Sequence, residues 1–201
     1  MAITEQLTGT LGLLTTMVRS GVIAPLRPDK YLRIAAAMAR ENTSITSGFA
    51  SAAQRCPDRP GLVDELGTLT WRDIDQRADA FAAALQALPV APAVIGIMAR
   101  NHRGFIESLI AANRIGADVL LLNTSFAGPA LAEVVTREKV DVIVYDEEFT
   151  PTVERALAKE PDAVRILAWT DKPDHEFTVE TMIGVHFGRQ PRRTEDRKSV
   201  V

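Results

Sequence analysis

The chain is 201 residues long, 46% hydrophobic and 24% charged, with a formal net charge of −3. That composition is ordinary for a soluble globular protein and fits one domain with extensions or two small domains. It excludes a polycationic nucleic-acid binder, and the single cysteine, Cys56, excludes an intrachain disulfide and fits a reducing compartment.

The charge is unevenly spread. Residues 1–60 carry 7 basic and 4 acidic side chains, residues 61–185 carry 11 and 20, and residues 186–201 carry 5 and 2. An acidic body thus lies between two mildly basic ends.

Residues 1–45 read as a helical extension. Ile3, Leu7, Leu14 and Val18 recur at helical spacing, although Gly9, Gly12 and several threonines weaken the segment. After Pro25 and Pro28, the residues Tyr31, Leu32, Ile34, Ala35 and Met38 form a second apolar face, flanked by Lys30, Arg33 and Arg40. Two readings stand: a pair of helices packed on the body, or an amphipathic segment lying on an anionic membrane surface. The uncharged run Gln6–Val18 is too short to span a bilayer, and it lacks the basic flank and cleavage site of a signal peptide. A cytoplasmic location is therefore expected, with peripheral membrane contact as the second reading.

Residues 46–185 are expected to form an α/β unit. Thr46-Ser47-Gly48 reads as a turn, because no further glycine or lysine follows to cradle a phosphate. "GLVDELGTLTW", from Gly61 to Trp71, reads as two short strands joined by a tight turn around Leu66-Gly67. Thr70 then caps a helix, with Asp73 at its third position as in a capping box. Ile74, Ala78, Phe81, Leu85 and Leu88 give that helix one buried stripe, which Pro89 and Pro92 stop.

"AVIGIM", from Ala93, is apolar throughout, as a strand covered on both faces should be. A helix from about His102 turns Phe105, Ile106, Leu109 and Ile110 inward and ends at Gly116. The strand "DVLLLN" follows, then a helix opened by Gly128-Pro129 with Leu131, Val134 and Val135 inward, then "VDVIVY", the short helix "TPTVERALA" and the strand "VRILAW". Buried strands alternating with helices predict βαβ units and a mostly parallel sheet flanked by helices. Residues 186–201, "HFGRQPRRTEDRKSVV", show no periodicity and read as an irregular basic tail.

The search for chemistry returns little. Neither phosphate-binding glycine fingerprint is present, which leaves an unrelated dinucleotide-binding domain without its first turn. His102, His175 and His186 are far apart in sequence and lack the i, i+4 partner of a helical metal site. His102, near a helix start, reads as a packing or capping residue against the alternative of a general base. Asp146-Glu147-Glu148, between a strand and a helix, reads as a solvated cluster favouring the helix N-terminus. Cys56 reads as a structural thiol. Asn123, in the Asn-Thr-Ser loop that ends a buried strand, reads as a turn former rather than a ligand.

Two stretches resemble a known family. "GTLTWRDIDQRADAFAAAL" resembles the first core motif of the AMP-forming adenylate synthetase superfamily, with Leu69, Thr70, Trp71, Asp73 and Ile74 filling its Leu-Thr-Tyr-x-Glu-Leu pattern. The stretch from Ala93 to Asp146 resembles the region of the second core motif, where an alanine-rich helix ends in Gly-Ala and leads to a strand closing in Pro-Leu-Asn/Asp. Gly116, Ala117 and Asn123 match it, and Leu121 stands where the family has proline. The wording is closest to the fatty acyl-CoA synthetases, over roughly residues 45–190.

The resemblance implies an enzyme portion that serves the reaction of a fatty acid, ATP and coenzyme A to acyl-CoA, AMP and pyrophosphate, with Mg²⁺ among the parent family's cofactors. It also implies that the machinery lies downstream, since a Thr-Ser-Gly-Thr-Thr-Gly-x-Pro-Lys-Gly phosphate loop should follow where this chain reads "RRTEDRKSVV". Both matched motifs are architectural in the family. No catalytic, cofactor-binding or metal-binding residue is therefore assigned, and the chain is expected to be inactive alone. The rival reading is a non-catalytic module that pairs with a full-length synthetase or a membrane. A sheet built to be completed by later sequence should also leave an edge and an apolar face open, and so promote association.

Overall fold

Four strands, each too apolar to face water, form the centre of the molecule: β3 (Val94–Met98), β4 (Asp118–Leu121), β5 (Val142–Asp146) and β6 (Val164–Trp169). All pair in parallel, in the order β4-β3-β5-β6. The computed structural model describes residues 26–41, 46–172, 175 and 177–193. The expected helix carrying Ile3, Leu7, Leu14 and Val18 and the tail beyond residue 193 lie outside the described residues.

Ahead of the sheet come α1 (Pro28–Arg40), α2 (Thr46–Arg55) and the antiparallel hairpin of β1 (Pro60–Asp64) and β2 (Gly67–Thr70). The helices α3 (Trp71–Gln86), α4 (Arg103–Arg114), α5 (Gly128–Glu138), α6 (Thr150–Ala156) and α7 (Val179–His186) complete the fold. The α/β architecture with a parallel sheet flanked by helices is the one the sequence implies.

Strand alternation divides the core in two. Ile95, Ile97, Val119, Val142, Val144 and Ile166 pack under Phe81 and Leu85 of α3, Leu109 of α4 and Ile183 of α7. On the other face Met98, Leu120, Ile143, Tyr145 and Leu167 pack under Leu131 and Val135 of α5 and Val153 of α6. Both faces of the sheet are thus covered, which corrects the expectation of an open apolar face. The edge of β4 beyond β3 carries no further strand among the described residues.

The local signals are read out as written. Thr70 and Asp73 form the capping box of α3, with the Thr70 backbone N–H donating to Asp73 Oδ2 at 2.8 Å and the Asp73 N–H donating to Thr70 Oγ1 at 3.2 Å. Gly116 takes φ +74°, and its N–H and that of Ala117 bond back to Asn113 and Ala112, closing α4 in a Schellman motif. The hairpin turns on Glu65-Leu66, with Gly67 at φ +102° and the Leu66 N–H donating to Asp64 Oδ1 at 3.1 Å. Asn123 is a turn former: its Oδ1 accepts the Ser125 N–H at 2.9 Å and its carbonyl accepts the Phe126 N–H at 3.0 Å.

Two expectations need correction. Thr46-Ser47-Gly48 is the first turn of α2, not a free turn. Its Thr46 hydroxyl donates to Glu41 Oε2 at 2.9 Å, so the polar residues that suggested a turn instead anchor a helix start. Second, α1 packs on the body through Lys30, Ile34, Ala37 and Glu41, while the apolar residues Tyr31, Leu32, Ala35 and Met38 face solvent. The spacing of 4, 3 and 4 along the contact line is that of one helix face, and the sequence alone did not say which face is used.

Candidate functional site

The chain passes from β3 out to β4 and then back across β3 to β5, so the helices following β3 and β5 lie on opposite faces of the sheet. In open α/β sheets the carboxyl ends of two such strands border the natural ligand crevice. A cleft of about 640 Å³ opens there, lined by Glu65, Arg100, His102, Asp146, Glu148 and Trp169 among others. A second cleft, of about 610 Å³, lies at the opposite ends of the strands around Asp141 and Val164. We place the candidate site in the first, because the strand order reverses there, between β3 and β5.

His102 and Asp146 meet at this point, one at the N-cap of α4 and the other at the end of β5. Their Nε2–Oδ1 separation is 2.8 Å and both are buried. The Gly104 N–H donates to His102 Nδ1 at 3.1 Å, so Nδ1 must be an acceptor and the proton of a neutral ring sits on Nε2, facing the carboxylate. The second Asp146 oxygen accepts the Arg100 N–H at 2.7 Å. Trp169 lies against the imidazole with centroids 4.8 Å apart.

Both ring nitrogens of His102 are therefore occupied. The residue is a cap and a tie between two strand ends, which is the capping reading of the sequence. Asp146 departs from the expectation of a solvated acidic cluster, because it is sealed beneath His102. Its neighbours stay at the surface: Glu148 pairs with Arg100, and Glu147 accepts from the Thr170 hydroxyl at 2.5 Å and pairs with Lys172. His175 is exposed, and His186 Nδ1 lies 3.2 Å from the Met182 carbonyl, so the three histidines serve different places. Cys56 is a half-buried free thiol just beyond α2.

Four arginines that the sequence did not single out hold the surrounding elements together. Arg103 grips Asp64 with distances of 2.6 and 2.9 Å, fixing the hairpin to α4 and holding that carboxyl down to about 2. Arg77 links Glu107 at 2.5 Å and Glu180 at 2.5 Å, which joins α3, α4 and α7. Burial pushes the Glu107 carboxyl up despite this partner. Arg114 sits among Glu41, Asp75 and Asp79, and Arg193 reaches Glu41 and Asp79 from the tail. One signal could have revealed this: Asp79 lies in the apolar run Ala78–Leu85, and Arg103, Glu107 and Arg114 fall on one line of α4 beside Ile110 and Ala111.

The model of the family described as AMP-binding enzyme matches residues 49–196. The chain belongs to that family. A fatty acid–[acyl-carrier-protein] ligase of Streptomyces coeruleorubidus is 24% identical over 143 residues, 65% of this chain and 28% of that protein. A medium/long-chain-fatty-acid–CoA ligase of Mycobacterium tuberculosis is 31% identical over 119 residues, 58% of this chain and 20% of that protein. The matches thus span about a quarter of the length of these curated relatives. The structure of a benzoate CoA ligase from Burkholderia xenovorans superposes with a TM-score of 0.62 at 18% identity, over 83% of this chain and 30% of that one. This last likeness shows the fold.

For a member of the AMP-binding enzyme family, the crevice itself is poorly suited to a nucleotide triphosphate. Its lining holds the carboxylates of Glu65, Asp146, Glu147, Glu148 and Asp171 against the single guanidinium of Arg100, which is already paired with Glu148. Like charges this close would repel the phosphates. Among the described residues no three His, Cys, Asp or Glu side chains converge as metal ligands. The polar groups described here bond one another, His102 to Asp146 and Arg100 to Glu148, and so hold the strand ends together.

Proposed function

We propose that the chain forms the N-terminal scaffold of a fatty-acid ligase of the AMP-forming type. In the whole enzyme a fatty acid would react with ATP to give an acyl-adenylate and pyrophosphate, and the acyl group would pass to coenzyme A with release of AMP. The observation that carries this reading is the family match over residues 49–196; the fatty-acid names of the two curated relatives support the substrate class. Acyl-adenylate formation requires stabilisation of charge on the phosphates, and the acidic crevice works against it. On this reading the 201 residues are inactive alone and contribute the framework on which later sequence builds the reaction site.

Fatty-acid-dependent ATP–pyrophosphate exchange tests the proposal. The chain alone is expected to give no exchange above a no-enzyme control, and co-expression with the later portion of a related ligase is expected to give exchange with fatty acids. Exchange by the isolated chain would overturn the scaffold reading. Exchange by the combined protein with aromatic acids but no fatty acid would overturn the substrate class.

A further inference from the structure

We infer that α1 is a docking element for an anionic lipid surface. The helix touches the body along one narrow line, Lys30, Ile34, Ala37 and Glu41, and Ala37 is the one buried residue within it. At 100° per residue the arc turned away from the body runs through Met38, Tyr31, Ala35, Ala39, Leu32 and Ala36 without a charge. Leu32 is 74% exposed, Met38 47% and Tyr31 46%. A helix that faced only water would carry polar residues on that arc.

Charge says what covers it. Arg33 and Arg40 border the apolar arc two turns apart, and Arg27 stands at the helix start. Asp29 is the acid on this side and is shared between Arg27 at 3.1 Å and Arg33 at 3.7 Å. Glu41 is turned inward against Arg114 and Thr46. Across residues 26–60 the chain carries six basic and three acidic side chains, whereas residues 61–185 carry 11 and 20. An anionic bilayer would therefore attract the α1 end and repel the acidic body, orienting the protein with the apolar arc down. Apolar side chains entering the headgroup boundary beside arginines is the chemistry of an interfacial amphipathic helix. No helix among the described residues is long and apolar enough to cross a membrane, so the contact is a surface one.

The test is co-sedimentation of the full chain with vesicles of phosphatidylglycerol and phosphatidylcholine, with no nucleotide or fatty acid present, so its outcome is separate from that of the exchange assay. Binding is expected to the anionic mixture, to fall severalfold with pure phosphatidylcholine, and to weaken in high salt as screening requires. L32E/M38E should reduce the bound fraction at least fivefold with unchanged far-ultraviolet dichroism, since both positions are exposed. Failure of the parent chain to bind anionic vesicles, or equal binding by L32E/M38E, would overturn the inference. So would loss of binding in L7E/L14E but not in L32E/M38E, which would give the role to the preceding segment. A parent dimer by light scattering that L32E/M38E renders monomeric would assign the face to a second copy instead.

Discussion

Arg114 donates to Asp79 Oδ1 at 2.9 Å although both side chains are buried, and the same guanidinium reaches Glu41 at 3.3 Å and the Asp75 carbonyl at 2.7 Å. One cation thus binds together the end of α1, two turns of α3 and the end of α4. Arg193 adds a second positive charge from the tail, and Gln86 fixes the neighbouring backbone by donating to the Arg192 carbonyl at 2.5 Å and accepting its N–H at 2.9 Å. Removing one partner of a buried ionic group leaves the others without compensation, which is more costly than the group's net contribution to stability. Arg114→Met is therefore expected to lower unfolding free energy by about 3–5 kcal/mol, measured by urea denaturation. Arg114→Lys should recover little, because one ammonium cannot fork toward acceptors on three residues of two segments. A loss below roughly 1 kcal/mol in the Met variant would show that the network is not a structural tie.

Asp64 gives a prediction about acid. Arg103, chiefly through its side-chain hydrogen bonds, holds the carboxyl at about 2 against an ordinary value of 3.8. The folded value is the lower one, so the contribution is complete above the unfolded value and is lost as pH falls from 3.8 toward 2. It is on the order of 2 kcal/mol. Asp64→Asn should remove that part of the acid limb, with stabilities of parent and variant converging near pH 2 in a series of urea midpoints. Glu107 and Asp79 act with the opposite sign, because burial raises both carboxyls and their contribution declines as pH rises through the folded values.

Gly104 and Gly48 should respond oppositely to the same substitution. A Cβ on Gly104 would lie 2.6 Å from the Ala168 carbonyl oxygen and 3.1 Å from His102 Cε1, where helix α4 starts against β6. Backbone cannot move aside as a flexible side chain can, so Gly104→Ala is expected to cost about 1–3 kcal/mol. A Cβ on Gly48, inside α2, would meet nothing within 4 Å. Gly48→Ala should stabilise by about 0.5–1 kcal/mol through the reduced entropy of the unfolded chain. Thermal melts of the two variants, shifted in opposite directions, check the pair.

His102→Ala leaves the Gly104 N–H and one oxygen of the buried Asp146 without partners, with an expected loss of about 1–3 kcal/mol. His102→Asn should keep part of the N-cap, since Asn is a good acceptor at that position, while losing the reach to Asp146. An intermediate melting temperature for the Asn variant is the expected result. Equal stability of all three proteins would remove His102 from the tie between β3 and β5.

The sequence by itself determined the strands, most of the helices and how several of them end, although the start of α2 read as a turn and α7 was not expected. A capping box needs residues three apart, a Schellman closure needs a glycine just beyond the helix, and a doubly covered strand needs an apolar run. Thr70 with Asp73, Gly116, and the runs at Ile95, Val119, Val142 and Ile166 meet these conditions within a few residues of chain. It also carried the family resemblance, because the two matched motifs are local too. The tertiary structure alone decided the rest. Arg114 stands 73 residues from Glu41, His102 44 from Asp146 and Arg77 103 from Glu180, and each pair exists only because packing brings separate elements together. The same holds for α1, whose periodicity fits contact through either of two faces. Its ion pairs on Glu41 and the Lys30 donation to the Arg55 carbonyl select the line of Lys30, Ile34, Ala37 and Glu41 and leave the apolar arc outside. Local spacing encodes elements, while charge pairing across long sequence separations depends on where those elements dock.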